Sequence, residues 1–381
     1  MKLSKAFLRI GIDARFIGPE GTGLGKYTEK LIENLQIIDS NNSYCIFLRK
    51  SNWDFLKLQN SNFKKVLADI NWYSFEEQIK MAGIFSSQNL DLLHIPHFNA
   101  PIFYRKKFIV TIHDLIHHNF TQESTTTKNP LIYKIKRGAY KITIGNAIKK
   151  SVKIITPSKH IREELVETFR INKSKISVIY EAAEEEYQKT PSIKPENILK
   201  KYTISKPYLI YIGNAYPHKN LETLFEAIKI INKKTKLNLV IVTARNVFSK
   251  RLEAQIAKNN LEQSITVTSY IKSNELNTII RSADAYIFPS LSEGFGIPGL
   301  NAMAAGVPVL ASNIPTLQEI YQNAAVYFDP NSPQDIADKV NNLLKNSKIK
   351  EDLIRRGQIQ VKKYSWQKMA KETFKVYESA A

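Results

Sequence analysis

The amino-acid sequence predicts an α/β protein made of two doubly wound domains, each built around a parallel sheet. Its 381 residues exceed the roughly 250–300 residues at which one hydrophobic core usually stops growing. Short runs of β-branched and aromatic residues alternate with longer segments of helical periodicity, which is typical of βαβ units. This alternation occurs twice, with a polar segment containing two prolines between the two sets.

Each predicted strand is a short apolar run that suits a sheet buried on both faces. The first set is Leu8–Asp13, Tyr44–Leu48, Phe63–Leu67, Leu92–Ile95, Phe108–Ile112, Val152–Thr156 and Ile176–Tyr180. The second set is Tyr208–Ile212, Leu239–Thr243, Ile265–Thr268, Ala285–Phe288, Val307–Ala311 and Ala325–Phe328. We expect a first domain over 1–188, a linker over 189–196 and a second domain from 197. Ligands of such folds bind beyond the carboxyl ends of the strands.

The composition is that of an ordinary globular protein, with 43% hydrophobic and 24% charged residues. A net charge of +20 indicates an anionic partner, such as nucleic acid, phospholipid or a phosphorylated substrate. We expect no nucleic-acid partner, because no motif for one accompanies the charge. Cys45 is the single cysteine, so no intramolecular disulfide is expected. We expect a cytoplasmic protein, because Arg9 interrupts the apolar stretch after Lys5 and no apolar run is long enough to span a bilayer.

A glycine-rich loop, Gly18–Tyr27, follows the first strand and opens a helix that is expected to run to about Ile37. Glycines at a helix N-terminus let the backbone approach an anion. Glu20 and Tyr27 do not fit a phosphate-binding Walker loop, and Lys26 occupies the third glycine position of a dinucleotide fingerprint. A simple tight turn therefore stays an equal alternative to an anion site.

Five of the seven histidines lie between His94 and His118. Pro96 breaks the helical spacing that a metal site would use and no carboxylate accompanies the pair around it, so no metal is expected. His113 directly follows the strand Phe108–Ile112, which places it at the ligand-binding end of the predicted sheet. A hydrogen-bonded structural histidine is the alternative.

The segment 128–162 contains ten basic residues, and no acidic residue occurs between Glu123 and Glu163. Interleaved isoleucines fit a basic amphipathic helix that lies on an anionic membrane. Gly138 and Gly145 weaken such a helix, and a solvated face of a helix packed into its own domain is the alternative.

Two segments in the second half of the chain are candidates for binding an anionic ligand. The strand Tyr208–Ile212 runs into the turn Gly213–Asn220, where Lys219 could neutralise a phosphate before the next helix. In the segment Phe288–Ser312, glycines expose backbone N–H groups before a short helix that Gly306 ends. Glu293 just before them could bind sugar hydroxyls or stabilise positive charge at an anomeric carbon.

Together these motifs resemble glycosyltransferase family 4, a large group of retaining enzymes that use nucleotide sugars. The resemblance covers nearly the whole chain. It rests on Glu293–Pro298 and on Gly21–Tyr27, Thr111–Asp114, Thr156–Ser158, Gly213–Asn220, Ser282–Asp284, Ala311–Asn313 and Tyr364–Trp366. It implies the GT-B fold, in which two Rossmann-like domains face each other across a cleft. The second domain would then cover 197–364, and a C-terminal helix over 365–381 would pack back on the first.

The resemblance implies roles for individual residues. Glu293 would face the reacting centre of the donor sugar, and His113 would line the catalytic pocket. Most of the other matched residues would bind the nucleotide-sugar donor: Gly294, Phe295, Gly296, Ile297, Lys219, Asn214, Gly23 and Gly25. Tyr270 and Ile271 match a strand end near the nucleotide base.

One position departs from the family pattern. The second glutamate of the family's paired-glutamate motif is replaced by Asn301. In relatives that carboxylate accepts hydrogen bonds from the ribose hydroxyls, whereas an asparagine amide offers one acceptor oxygen and two donors. We expect weaker or altered nucleotide binding with retained chemistry, because the ribose is remote from the bond that breaks.

The resemblance implies a hexosyl transfer, foremost a mannosyl transfer, from a GDP-sugar or UDP-sugar without any further cofactor. The acceptor would be a glycan or a lipid-linked glycan of lipopolysaccharide, capsule or exopolysaccharide. Two alternatives stay open: another GT-B enzyme such as a sugar-nucleotide epimerase or phosphorylase, and a non-catalytic sugar-nucleotide or glycan-binding protein. Through Tyr180 the chain has 28 basic and 15 acidic residues, so the excess charge lies mainly in the predicted acceptor domain and fits a peripheral contact with an anionic membrane.

Overall fold

The computed structural model describes residues 7–18, 21–120, 130–269 and 271–381, and the side chains of Thr22 and 130–133 are not described. These residues form two compact units. The first unit lies within Met1–His118, Lys128–Glu181 and Ser365–Ala381, and the second lies within Asn119–Thr127 and Ala182–Tyr364.

Each unit contains one parallel sheet. The first sheet has the order β3-β2-β1-β4-β5-β6-β7 and the second has the order β10-β9-β8-β11-β12-β13. The strands are β1 (Arg9–Asp13), β2 (Ser43–Leu48), β3 (Phe63–Leu67), β4 (Leu92–Ile95), β5 (Phe108–Thr111), β6 (Lys153–Thr156), β7 (Ile176–Val178), β8 (Tyr208–Ile212), β9 (Asn238–Val242), β10 (Ile265–Thr268), β11 (Ala285–Phe288), β12 (Val309–Ser312) and β13 (Ala325–Phe328). The predicted α/β class with two parallel sheets is confirmed.

Helices connect the strands, as parallel pairing requires. They are α1 (Thr22–Ile38), α2 (Ala82–Ser87), α3 (Ile116–Asn119), α4 (Pro130–Lys150), α5 (Lys159–Phe169), α6 (Pro195–Lys201), α7 (Leu221–Asn232), α8 (Val247–Lys258), α9 (Ser273–Ser282), α10 (Ile297–Ala304), α11 (Pro315–Tyr321), α12 (Pro333–Lys345), α13 (Ser347–Val361) and α14 (Trp366–Ala380). In the part of the chain that the structure describes, no helix is long and apolar enough to cross a membrane.

Every predicted strand overlaps an observed one, and the differences are confined to strand ends. The strand predicted from Val307 begins at Val309, because Pro308 has no N–H to donate to a neighbouring strand. The core strands are easy to predict since all residues of β2 after Ser43, of β9 and of β11 are buried.

The direction of chain progression reverses once in each sheet, between β1 and β4 and between β8 and β11. The loops beyond the carboxyl ends of such paired strands diverge and leave a crevice, which is where open α/β sheets bind ligands. In the second unit, the turn after β8 contains Lys219 and the loop after β11 contains Glu293. The fold therefore places these two predicted residues on the loops of one crevice.

The segment 182–189 belongs to the second unit, ahead of the predicted linker at 189–196. Asn277 Nδ2 donates hydrogen bonds to the carbonyl oxygens of Glu186 and Lys189 at 2.8 and 2.9 Å. Tyr187 is buried, and its carbonyl accepts a hydrogen bond from Arg281. The prolines of the predicted linker do not prevent structure there, because Pro195 begins α6.

The C-terminal helix α14 packs on α1 within the first unit. Its Tyr377 is fully buried, and the hydroxyl lies 2.7 Å from His94 Nδ1. The predicted return of this helix to the first half of the chain is confirmed.

Candidate functional site

The second unit contains a sharply bent turn before α10. Gly296 has a φ of 101°, in the left-handed region that favours glycine. A Cβ atom there would lie 2.5 Å from the Tyr321 hydroxyl and 2.8 Å from Leu317 Cδ2. The Tyr321 hydroxyl also donates to the Gly296 carbonyl at 2.6 Å. A buried tyrosine therefore holds the backbone of the turn in place.

An ion pair joins the two loops at the crevice of the second sheet. Lys219 Nζ lies 2.6 Å from Glu293 Oε1, and the two side chains are 16% and 11% exposed. Asn220 orients the Lys219 turn, since its Nδ2 donates to the carbonyls of Pro289 and Pro330. The backbone N–H of Leu291 donates to the carbonyl of His218, so the two loops are also joined through their main chains.

The other residues predicted to bind the nucleotide-sugar donor differ in how deeply they are buried. Asn214 is half-buried, and its carbonyl accepts a hydrogen bond from the Tyr211 hydroxyl at 2.8 Å. Ile297 is half-buried at the start of α10, and Phe295 is buried against Tyr364. Ile271 is buried beyond β10, at the far edge of the sheet, and Tyr270 lies outside the described residues.

Asn301 has a protein partner of its own. Its Oδ1 accepts a hydrogen bond from the backbone N–H of Glu184 at 2.8 Å, and the residue is 8% exposed. One lone pair of this oxygen is therefore already engaged, while the amide nitrogen supplies two N–H donors.

His113 in the first unit lies between two oxygen atoms. Its Nδ1 is 3.0 Å from Glu181 Oε1 and its Nε2 is 3.2 Å from the Pro96 carbonyl oxygen, which can only accept. The edge of the Tyr27 ring meets the imidazole at a centroid distance of 4.7 Å. Glu181 was not among the predicted site residues, although it follows the predicted strand Ile176–Tyr180, the same kind of position that singled out His113.

A buried layer of neutral groups lies behind His113. Thr111 Oγ1 is 2.8 Å from His94 Nε2 and 3.2 Å from the Tyr27 hydroxyl. Burial, with a smaller contribution from His113, lowers the pKa of His94 to about 3. Burial likewise raises the pKa of Tyr27 well above its usual value. This layer stays uncharged at neutral pH. Its Tyr27 ring contacts the imidazole of His113.

A second buried cluster fixes the loop after β1. Arg15 Nη2 lies 2.7 Å from Asp13 Oδ2 and 2.6 Å from Glu77 Oε1, and all three side chains are almost fully buried. A buried charge is costly unless it is paired, so these groups stabilise one another. None of these three residues was predicted from the sequence as a site residue.

One glycine of the predicted glycine-rich loop is required by the packing of α1. A Cβ atom at Gly25 would collide with the carbonyl oxygen of Phe16, so α1 can approach this loop only with glycine there. Gly23 is exposed and has no heavy atom within 4 Å of an added Cβ. Both glycines lie in the first turn of α1, at the loop beyond β1.

The histidines do not form a metal centre in the described ranges, where no group of three or more His, Cys, Asp or Glu side chains could hold a metal ion. His97, for example, has its ring against Phe16 and Phe98. Burial lowers its pKa well below the usual value.

Two parallel-sheet units, with a cation and a carboxylate on the crevice loops of the second, define a two-domain protein of the α/β class. Residues 195–360 match the family model for glycosyl transferases group 1, and residues 62–186 match the model for glycosyltransferase family 4. The chain belongs to these group 1, family 4 glycosyltransferases, as the sequence motifs implied.

The names of curated relatives are consistent with membership of this family. The O-antigen chain mannosyltransferase RfbU of Salmonella typhimurium is 25% identical over 340 residues, which cover 86% of this chain and 88% of that protein. The O-antigen chain mannosyltransferase B of Escherichia coli is 25% identical over 374 residues, which cover 93% and 96%.

Solved structures agree in fold. Sucrose-phosphate synthase from Thermosynechococcus elongatus aligns with a TM-score of 0.77 and 16% identity over 98% of both chains. Anabaena Alr3699/HepE in complex with UDP and glucose aligns with a TM-score of 0.75 and 12% identity, over 98% of this chain and 100% of that chain. The expected GT-B fold class is confirmed.

Proposed function

We propose that the protein is a retaining mannosyltransferase, which moves a mannosyl residue from a nucleotide diphosphate sugar to a glycan or lipid-linked acceptor of a cell-surface polysaccharide. The observation that carries this proposal is the Lys219–Glu293 pair on the crevice loops of the second sheet. The relatives named as O-antigen chain mannosyltransferases support the choice of sugar and pathway. The donor is a GDP-sugar or a UDP-sugar, and no further cofactor takes part.

The Lys219–Glu293 pair suits the departure of a diphosphate. Lys219 exchanges its contact with Glu293 for the phosphate oxygens, which neutralises the negative charge that grows on the leaving group. Backbone N–H groups of Gly294, Phe295 and Gly296 add further donors in this proposal. Glu293 is then free to stabilise the positive charge that develops at the anomeric carbon.

The first unit provides the acceptor side in this proposal. His113 lines the catalytic pocket, and Glu181 and the Pro96 carbonyl hold its ring. Gly23 and Gly25 form the lip near the diphosphate, and the exposed Gly23 leaves space there for a ligand.

A screen for thermal stabilisation by GDP-mannose, UDP-glucose and other nucleotide sugars tests the donor, because a ligand that binds the folded state raises the unfolding temperature. Radiolabelled transfer to extracted lipid-linked glycans then tests the reaction. Stabilisation by GDP-mannose together with mannosyl transfer supports the proposal. Stabilisation without transfer to any acceptor would indicate a binding protein, and release of a rearranged sugar would indicate an epimerase.

We further propose a peripheral contact between the 128–162 segment and an anionic cytoplasmic membrane surface. Ile135 and Ile142 of α4 are each 65% exposed, and they lie beside the exposed Lys134, Lys141 and Lys149. Exposed apolar side chains among cations suit a surface of apolar tails and anionic headgroups.

Liposome co-sedimentation tests this contact. The wild type is expected to bind anionic vesicles more strongly than neutral ones, and the variant Ile135→Ser/Ile142→Ser is expected to bind them less. Equal sedimentation with both vesicle types would overturn the membrane contact and leave the enzymatic proposal untouched.

A further inference from the structure

Two of the three tryptophans lie at the carboxyl end of the first sheet. Trp53 follows β2 and Trp72 follows β3, whereas Trp366 begins α14. Open α/β sheets bind ligands beyond the carboxyl ends of their strands, so both rings lie at the ligand-binding end of the first unit. They lie on its outer part, because β3 is the edge strand and β2 separates it from β1.

A surface cavity of about 350 Å³ lies beside Trp53. It is lined by Lys50, Trp53, Asp54 and Leu67. Pockets that bind small molecules have volumes of about 300–1,000 Å³, so this cavity is at the lower end of that range. Its size fits one sugar ring better than a whole nucleotide sugar.

The lining residues of the cavity are of the types that recognise a pyranose. The C–H groups on one face of a sugar ring pack against the negative π face of an aromatic ring, which Trp53 supplies here. Sugar hydroxyl groups donate to a carboxylate and accept from an ammonium group, and the exposed Asp54 and Lys50 supply these. Because the lining contains one cation and one carboxylate, its charges favour a neutral ligand over a diphosphate.

The segment that contains Trp53 is fixed to its neighbours. Lys65 Nζ donates to the Trp53 carbonyl at 2.5 Å and lies 5.4 Å from the centroid of the indole ring. The preceding Asn52 is 4% exposed. Its Nδ2 lies 3.0–3.1 Å from three carbonyl oxygens of the loop after β1, those of Ala14, Arg15 and Ile17. The cavity is therefore preformed, which reduces the entropy that a ligand loses in ordering it.

Phe55 connects this segment with the glycine-rich loop. Gly18 has a φ of 103°, and a Cβ atom there would lie 3.3 Å from the Phe55 ring. The same loop leads into α1, whose first turn contains Gly23 and Gly25. At the usual spacing of strands, β3 lies about 10 Å from β1. A ligand in the cavity thus lies beside the predicted lip of the reaction site, at a distance that an oligosaccharide spans.

The second tryptophan at this end has a packing role. The Trp72 ring stacks on Phe16 at a centroid distance of 4.6 Å, and the Arg49 guanidinium lies 4.8 Å from the Trp72 ring centroid. Phe16 is itself buried. Of the two rings, Trp53 is the one that lines the cavity.

We propose that the cavity beside Trp53 is a binding subsite for a neutral pyranose unit of an oligosaccharide. The sugar face packs on the Trp53 ring, and Asp54 and Lys50 bind its hydroxyl groups. During transfer the subsite holds an inner sugar of the glycan acceptor, so longer acceptors bind more tightly than short ones. The role in transfer rests on the proposed function, whereas the binding of the sugar does not.

NMR of the indole N–H groups tests the binding without an activity assay. The full chain labelled with ¹⁵N-tryptophan has three indole N–H groups, and Trp53→Phe assigns the resonance of Trp53. Titration with an α-linked mannotetraose is expected to shift this resonance and to leave that of the buried Trp366 in place. An unshifted Trp53 resonance at millimolar tetrasaccharide would overturn the subsite.

Two variants show whether the cavity itself binds the sugar. Asp54→Ala is expected to raise the Kd of the tetrasaccharide about 3- to 10-fold, because a hydrogen bond to its carboxylate is lost. Phe75→Ala is the matched control, since it removes another aromatic side chain of the first unit, which is 80% exposed. It should leave the Kd unchanged. Equal Kd values for Asp54→Ala and the wild type would overturn the proposed contact.

Steady-state kinetics test the role in transfer. Trp53→Ala is expected to raise the KM of a tetrasaccharide acceptor about tenfold with little change in kcat, because the subsite binds the substrate equally in the ground and transition states. The KM of methyl α-mannoside should stay the same, since one sugar does not reach both sites. Asp54→Ala should show the same pattern, and its exposed position makes the test independent of how well Trp53→Ala folds.

An equal rise of KM for both acceptors, or no rise for either, would overturn the role of the cavity as an acceptor subsite. Absence of transfer by the wild type to any acceptor would instead count against the proposed function. The NMR titration would then still decide whether the cavity binds a sugar.

Discussion

The candidate site residues of the two units lie in different surroundings. In the second unit, Lys219 and Glu293 form an ion pair that keeps some access to solvent. In the first, His113 lies on a buried and uncharged layer that includes His94 and Thr111. The larger excess of basic residues nevertheless lies in the first half of the chain. The net charge of each half therefore does not indicate which unit contributes the partly exposed ion pair of the candidate site.

The largest expected effect comes from the carboxylate of the second unit. Glu293→Gln keeps the shape of the side chain and removes the charge that stabilises the transition state, so kcat should fall by about 10²-fold or more. Glu226→Gln is the matched control, because it removes the partner of Lys229 from an exposed ion pair in the same unit. Initial rates of sugar transfer measure both variants, and a Glu293→Gln enzyme with a native kcat would contradict the assignment.

Loss of the cation should weaken donor binding. Lys219→Met keeps an apolar stem and removes the charge that pairs with the diphosphate, so the donor Kd should rise about 10- to 100-fold, as for a lost charge-assisted hydrogen bond. Titration calorimetry with the donor measures this change, with Lys229→Met as the control. A Kd equal to that of the wild type would place the diphosphate elsewhere.

Two glycines of the first unit provide a comparison of stability. Gly25→Ala forces a Cβ atom against the Phe16 carbonyl, and it should lower the free energy of unfolding by about 1–3 kcal/mol. Gly23→Ala has open space around it in a helix, and it should raise the free energy of unfolding by up to about 1 kcal/mol. Urea unfolding curves measure both, and equal midpoints would refute the close approach at Gly25.

A smaller effect is expected from the buried layer when the pH is lowered. Burial lowers the pKa of His94 to about 3 from 6.5, so the unfolded chain binds a proton between these values while the folded chain does not. Stability contributed by this group is complete above pH 6.5 and falls below it, by at most about 1.4 kcal/mol per pH unit. The variant His94→Gln should show a shallower decline of the urea midpoint between pH 7 and pH 5. An unchanged slope would argue against a buried neutral His94.

The strands and the second-unit residues were accessible from sequence because their signals are local. Buried β-branched runs predict strands, and a strand followed by glycines and a charged residue predicts a ligand loop. Lys219 and Glu293 were each found in this way. Their direct contact follows only from the order of β8 and β11 in the sheet.

Contacts between distant positions could not be predicted in this way. Arg15 and Glu77 are 62 positions apart, and Glu184 and Asn301 are 117 apart. No local pattern marks such pairs, since each depends on which elements the fold brings together. For the same reason the predicted linker at 189–196 differs from the observed change of unit at Ala182: the anchors of 184–189 come from α9 and α10, about a hundred residues later in the chain.

Hydrogen–deuterium exchange with and without the nucleotide sugar that stabilises the protein tests the central claim most directly. If the second unit binds the donor through the Lys219 and Glu293 loops, the donor should protect peptides that cover 213–220 and 290–301, and Lys219→Met should reduce that protection at the same ligand concentration. Protection confined to peptides of the first unit, with 213–220 and 290–301 unchanged, would contradict the account.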